Sequence, residues 1–137
     1  MHTRRKPPAP VVLVADDDPA MRDFAAHVLR DAGYNVRKAM AVPEAIECLR
    51  LPGVSAAVVD MLFVNSGDHT GLDILRFIRT QPALERVPVM MITGFPLKPS
   101  VVAEVHALRA ELWAKPIDPA FLVQRVHTLL QLYPGGV

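Results

Sequence analysis

The residues most able to do chemistry stand at the ends of apolar segments. Asp16 and Asp17 close VVLVA, a lone Asp60 closes AAVV, Thr93 closes VPVMMI, and Lys115, followed by Pro116, closes ELWA. Taken singly, each is an ordinary cap or turn residue. Three carboxylates brought within a few ångströms repel and raise one another's pKa, so a positive group must sit among them. Two candidates exist: the ammonium of Lys115, and a hard divalent cation, which takes oxygen ligands and, if magnesium, keeps several waters beside one or two carboxylates.

These groups meet only if the intervening chain brings the segment ends together, and its pattern does so. Val11–Ala15 is continuously apolar and β-branched, as in a strand covered on both faces. Asp18-Pro19 reads as an N-cap with proline at the first helical position. Met21, Phe24, Ala25, Val28, Leu29 and Ala32 then mark one apolar helix face, and Gly33 suits a left-handed helix end. Residues 34–39 predict a second strand, 43–51 a short helix and 56–59 a third strand ending at Asp60. After a loop over 61–70, Leu72, Ile74, Leu75, Phe77 and Ile78 predict a helix ending near Pro82. Residues 87–92 read as strand four, and 99–110 as a helix with Val101, Val102, Val105 and Leu108 inward. Residues 111–114 make strand five, and a last helix opens with Asp118-Pro119 and stops before Pro134-Gly135-Gly136.

Strands alternating with helices of this length predict an α/β domain, a doubly wound parallel sheet with helices on both faces. In such sheets ligands bind beyond the carboxyl ends of the strands, which is where the acidic residues, Thr93 and Lys115 stand.

The 137-residue chain amounts to one domain. Residues 1–10 read as a flexible leader, 11–132 as the domain and 133–137 as a C-terminal tail. Fifteen basic against 14 acidic side chains give a net charge of +1, no global reason to bind nucleic acid or an anionic membrane. One cysteine, Cys48, excludes an internal disulfide and a multi-cysteine metal site, and fits a reducing cytoplasm. The five histidines show no ligand spacing. The apolar runs are far below the ~20 residues that cross a bilayer.

In order along residues 11–132, VLVADDDP, AAVVD, MMITG and WAKP resemble the receiver domain of two-component response regulators. The resemblance implies a flavodoxin-like five-stranded sheet of order 2-1-3-4-5 with five helices. It implies Asp60 as phosphoacceptor, Mg²⁺ held by Asp16, Asp17, Asp60 and the Leu62 carbonyl, Thr93 hydrogen-bonded to the phosphoryl group and Lys115 paired with it. It also implies a cis Lys115-Pro116 bond. The expected role is a stand-alone receiver taking phosphate from a histidine kinase or histidine phosphotransfer protein and acting on an unknown downstream protein. Phosphoryl transfer needs an in-line nucleophile and neutralised charge more than covalent help, and the residues supply both.

Two features depart from the family pattern. Leu112 stands where an aromatic residue is usual, three positions before Lys115, with Trp113 beside it; the loop 61–70 is about three residues longer and lacks the usual proline, so donor access or anhydride lifetime is expected to differ. Two alternatives stay open. Asp16-Asp17-Asp18 also reads as the Asp-x-Asp of a haloacid-dehalogenase-like phosphatase, with Asp16 as nucleophile and Asp18 as acid/base, and a receiver-shaped module that is never phosphorylated would share the fold.

Overall fold

The computed structural model describes residues 8–134. Ten elements alternate along the chain: β1 Val11–Ala15, α1 Pro19–Asp31, β2 Asn35–Ala39, α2 Val42–Arg50, β3 Val54–Asp60, α3 Gly71–Thr80, β4 Val89–Thr93, α4 Pro99–Ala107, β5 Glu111–Ala114 and α5 Pro119–Leu132. All strand pairs are parallel and the order is β2-β1-β3-β4-β5. The doubly wound reading therefore holds. No helix among the described residues is long and apolar enough to cross a membrane.

Strand alternation divides the core into two layers. Leu13, Ala15, Ala57, Val59 and Met91 pack in one cluster with residues of α2, α3 and α4. Val12, Val14, Ala56, Val58, Met90 and Ile92 pack in the other, against α1 and α5. A strand whose successive side chains are buried on opposite faces must be apolar throughout, which accounts for VVLVA and VMMIT. Leu112 belongs to the first layer and Trp113 to the second, where its ring meets Phe121 edge-on at 4.7 Å. Trp113 is thus a packing residue.

Several boundaries differ from the sequence expectation. β4 begins at Val89 rather than Val87, because Pro88 has no N–H to give the ladder and serves instead through its carbonyl, which accepts from Ala57. α4 stops at Ala107, three residues early. Arg109 takes φ 59°, and the Arg109 and Ala110 amides turn back to His106 and Val105. Only Val105 of the four expected inward residues is fully buried. On α1 the buried line is Ala25, Ala26 and Leu29, whereas Phe24 is 45% exposed. The small alanines let the helix lie close to the sheet and leave a bulky ring only at its rim. Gly33 does adopt φ 100°, one residue past the helix cap.

The first seven residues of the expected leader, and 135–137 of the expected tail, lie outside the described residues. The Pro10 carbonyl accepts the Asn35 amide at 3.0 Å and so continues the pairing of β1 with β2. Cys48 is a half-buried free thiol, its pKa raised by burial and then by Glu44.

Candidate functional site

Parallel register brings the acidic residues together. Ala15 is level with Val59 and Asp60 with Ile92, while Thr93 is level with Ala114. The next residue of β1, the last of β3, the last of β4 and the residue after β5 therefore line one rim. Asp16, Asp17 and Asp60 each offer a carboxylate oxygen, all within 4.8 Å of one another. Lys115 Nζ lies 3.1 Å from Asp60 Oδ2 and 3.3 Å from Asp16 Oδ2. The Lys115-Pro116 bond is cis, and the Lys115 amide donates to the Thr93 carbonyl at 2.8 Å.

Charge in this rim is unbalanced. Asp16 and Asp60 are 8% and 6% exposed. Burial first, and then repulsion from Asp16, push the Asp60 carboxyl up to about 6, against the opposing pull of Lys115. Burial also works against the Lys115 ammonium, but Asp60 and Asp16 outweigh it and hold its pKa above the ordinary lysine value. One ammonium against three close carboxylates leaves a surplus of negative charge. Three hard oxygen donors of this kind fit a divalent cation such as Mg²⁺.

Two of the three carboxylates, those of Asp16 and Asp17, are also oriented by the backbone. Asp16 Oδ1 accepts the Asp18 amide at 2.9 Å, and the Asp16 carbonyl accepts from Arg22 Nη1 at 3.1 Å. Asp17 Oδ2 accepts the Val64 amide at 2.9 Å. Asp18 itself is an exposed cap: its Oδ1 accepts the Ala20 amide at the start of α1. Thr93 is buried at the rim, but its hydroxyl donates to the Phe95 carbonyl at 2.8 Å and accepts the Phe95 amide at 3.3 Å. It is turned along its own loop, not toward Asp60. Leu62, two residues past Asp60, has an exposed side chain. Gly94 leaves ordinary contact space beside Lys115, a Cβ there lying 3.6 Å from its Cδ.

The longer loop is tied down at several points. Met61 and Phe63 are buried in the core. Buried Ser66 Oγ accepts the Val42 amide at the start of α2 at 3.0 Å, and Asn65 Nδ2 donates to the Met40 carbonyl at 3.1 Å. With the Val64 amide on Asp17, the segment links the acidic rim to α2. No sequence pattern marks these anchors, since one main-chain amide and one serine carry none. Gly71 carries no such signal either. A Cβ there would lie 2.0 Å from the Asp60 carbonyl oxygen, so only glycine lets α3 start against the end of β3. Thr70 and Asp73 form a reciprocal capping box over that first turn, a spacing that was legible.

Comparison with known proteins agrees with this geometry. The family model described as the response regulator receiver domain matches residues 12–127. Protein Rrf1 of Nitratidesulfovibrio vulgaris is 28% identical over 131 residues, covering 91% of this chain and 86% of its own. The regulatory protein VanR of Enterococcus faecium is 25% identical over 89% of this chain, and the transcriptional regulatory protein GltR of Pseudomonas aeruginosa is 26% identical over 88%. This chain spans about half the length of each of those two, 50% and 48%. Among solved structures, the chemotaxis response regulator CheY4 of Vibrio cholerae superposes with TM-score 0.77 at 28% identity, covering 89% of this chain and 99% of that one. A putative response regulator of Chloroflexus aurantiacus gives 0.77 and 28%, covering 90% and 98%. With the match over most of its length and an acidic rim at the expected strand ends, the chain belongs to the response regulator receiver domain family.

Proposed function

We propose that this chain acts as a cytoplasmic receiver that accepts a phosphoryl group on Asp60 from a phosphohistidine donor, a histidine kinase or histidine phosphotransfer protein, and signals by binding another protein. The observation that carries the reading is the buried Asp60 carboxylate at the end of β3, clustered with those of Asp16 and Asp17 and contacted directly by the Lys115 ammonium.

In the transfer, a carboxylate oxygen of Asp60 attacks phosphorus. A new O–P bond forms as the donor's N–P bond breaks, and the electron pair leaves on the imidazole, which takes up a proton. The product is an acyl phosphate, inherently open to hydrolysis, so the signal is temporary. Asp16, Asp17, Asp60 and the Leu62 carbonyl would hold Mg²⁺, which supplies charge neutralisation to the transferring oxygens when bound. Lys115 supplies further neutralisation at the acceptor carboxylate. Its two carboxylate contacts fix it against the acceptor before any phosphate arrives.

The added group carries roughly −1.5 to −2 charges near pH 7. Thr93 would answer it by giving up its bonds to Phe95 and donating to a phosphoryl oxygen, moving the loop after β4. Leu112, in the layer facing α4, is aliphatic where relatives use an aromatic ring, so the loop's movement would be read by a smaller side chain.

Asp18 argues against the phosphatase alternative. Its carboxylate is engaged in capping α1 rather than free to act as an acid/base. Labelling with acetyl phosphate and Mg²⁺ tests the reading: covalent phosphate is expected on the natural chain and on a Thr93→Ala variant at reduced level, and none on Asp60→Asn. Label lost only in Asp16→Asn and retained in Asp60→Asn would favour the phosphatase, and no label in any form would favour the unphosphorylated module.

A further inference from the structure

At the opposite end of the sheet from the acidic rim, the amino ends of β4 and β5 border a cleft of about 450 Å³. Its walls bring together Arg79 from the end of α3, Arg86 from the α3–β4 connection, Arg109 from the α4–β5 connection and Arg125 from α5. Two carboxylates, Glu85 and Glu111, share the lining. Glu111 is committed to Arg125, whose Nε lies 2.8 and 3.0 Å from its two oxygens. With Glu111 so paired, the lining holds three further arginines and one further glutamate, a formal surplus of two positive charges.

Arg79 is the anchor of this end. Its Nε donates to the Leu108 carbonyl at 2.7 Å, Nη1 to those of Glu85 and Val87 at 3.2 and 2.6 Å, and Nη2 to that of Arg109 at 3.4 Å. These partners are all neutral carbonyls. Burial, and then repulsion from Arg109, push its pKa down to about 10. Arg109 is held at φ 59°, a backbone conformation that a long side chain adopts at a penalty glycine would avoid. Its Nη2 reaches the Glu85 carbonyl at 3.3 Å, on the same rim. The opposite wall is apolar and aromatic. Leu129 is buried, while Leu132 and Tyr133 are 62% and 52% exposed.

From this juxtaposition we propose that the cleft between Arg79, Arg86, Arg109 and Tyr133 binds a phosphomonoester that carries a flat or apolar group. A phosphomonoester carries close to two negative charges at neutral pH, matching the local surplus, whereas a single carboxylate matches half of it. The guanidinium forks of Arg86 and Arg109, which keep N–H groups not given to the backbone, suit phosphate oxygens geometrically, while Arg79, with four of its five N–H hydrogens on carbonyls, adds its charge. The volume lies within the roughly 300–1,000 Å³ of small-molecule sites, and the exposed Tyr133 and Leu132 give the non-phosphate part a surface to cover. The site is separate from Asp60 by the length of the sheet and independent of the phosphorylation reading.

The test is calorimetric titration of the full chain, in EDTA to keep cations from the acidic rim, with adenosine monophosphate, inorganic phosphate and adenosine as probes. Adenosine monophosphate is expected to bind at least about tenfold more tightly than inorganic phosphate, and adenosine not to bind detectably. Arg109→Gly is expected to weaken that binding by about tenfold or more while its melting temperature stays equal or rises, because glycine suits the φ. Arg86→Ala serves as a second variant with the same expected loss, and Asp60→Asn is expected to bind unchanged. The proposal is overturned if adenosine monophosphate binds no better than inorganic phosphate, or if both arginine variants bind it as the natural chain does.

Discussion

Replacing Gly71 by alanine sets helix propensity against packing at the joint between β3 and α3. If propensity alone mattered, alanine in the first turn of a helix would stabilise the protein by up to about 1 kcal/mol. The structure predicts the reverse. The added Cβ would lie 2.0 Å from the Asp60 carbonyl oxygen, 2.9 Å from its carbonyl carbon and 3.1 Å from Met61 Cα. All three are backbone atoms, with no flexible side chain to give way. Restoring a separation of about 3.5 Å requires about 1.5 Å of movement, and overpacking at well-filled positions costs about 1–3 kcal/mol. Taking the upper end and subtracting the propensity gain leaves a loss of about 2 kcal/mol. For a domain of this size that lowers the melting temperature by about 6–10 °C. Because the displaced group is the main chain of Asp60, labelling by acetyl phosphate is expected to slow as well, by up to about a hundredfold per ångström of misplacement. Thermal unfolding followed by circular dichroism, with labelling rates on the same samples, makes the measurement. A variant that melts at or above the natural temperature would mean that the joint between β3 and α3 has room for a Cβ.

Other expectations follow from particular contacts. Ser66→Ala leaves the buried Val42 amide at the start of α2 without its oxygen and is expected to cost about 1–2 kcal/mol in denaturant unfolding; an unchanged midpoint would mean that the loop is not tied there. In EDTA, Asp60→Asn is expected to melt a few degrees above the natural chain, because it removes one of the like charges crowded at the rim. Adding Mg²⁺ should raise the melting temperature of the natural chain in proportion to the logarithm of its concentration, and should do so much less for Asp16→Asn. Arg125, followed by burial acting the other way and by Trp113, leaves the Glu111 carboxyl below its usual range. That pair therefore contributes stability above the ordinary glutamate pKa near 4.3, and loses it as pH falls through the lower folded value. Being partly exposed, it is worth less than about 1 kcal/mol. Glu111→Gln should show that small deficit at pH 7, and the deficit should shrink as pH falls through the lowered folded value.

The strand ends were the most legible part of this protein. A parallel strand buried on both faces is an unbroken apolar run, so the first polar residue after it marks the rim, and Asp16, Asp60, Thr93 and Lys115 all stand there. Side-chain direction was not legible. Thr93 was placed correctly, yet its hydroxyl turns to Phe95, a choice set by the local loop. Phe24 fits an apolar helix period as well as Ala25 does, and only the closeness of α1 to the sheet decides which is covered. The early end of α4 depends on Arg109 entering a left-handed conformation, for which glycine or asparagine is the usual signal. The anchoring of the long loop rests on single hydrogen bonds between residues 24 and 47 positions apart. No periodicity records such pairs.

Asp60 alone among the three clustered carboxylates is expected to become phosphorylated. Incubation with acetyl phosphate and Mg²⁺, borohydride reduction of the acyl phosphate to an alcohol, and peptide mass mapping read this directly. The reduced side chain is expected at residue 60 and nowhere else. A reduced side chain at residue 16 or 17, or an unmodified residue 60 under conditions that label a known receiver, would contradict that expectation.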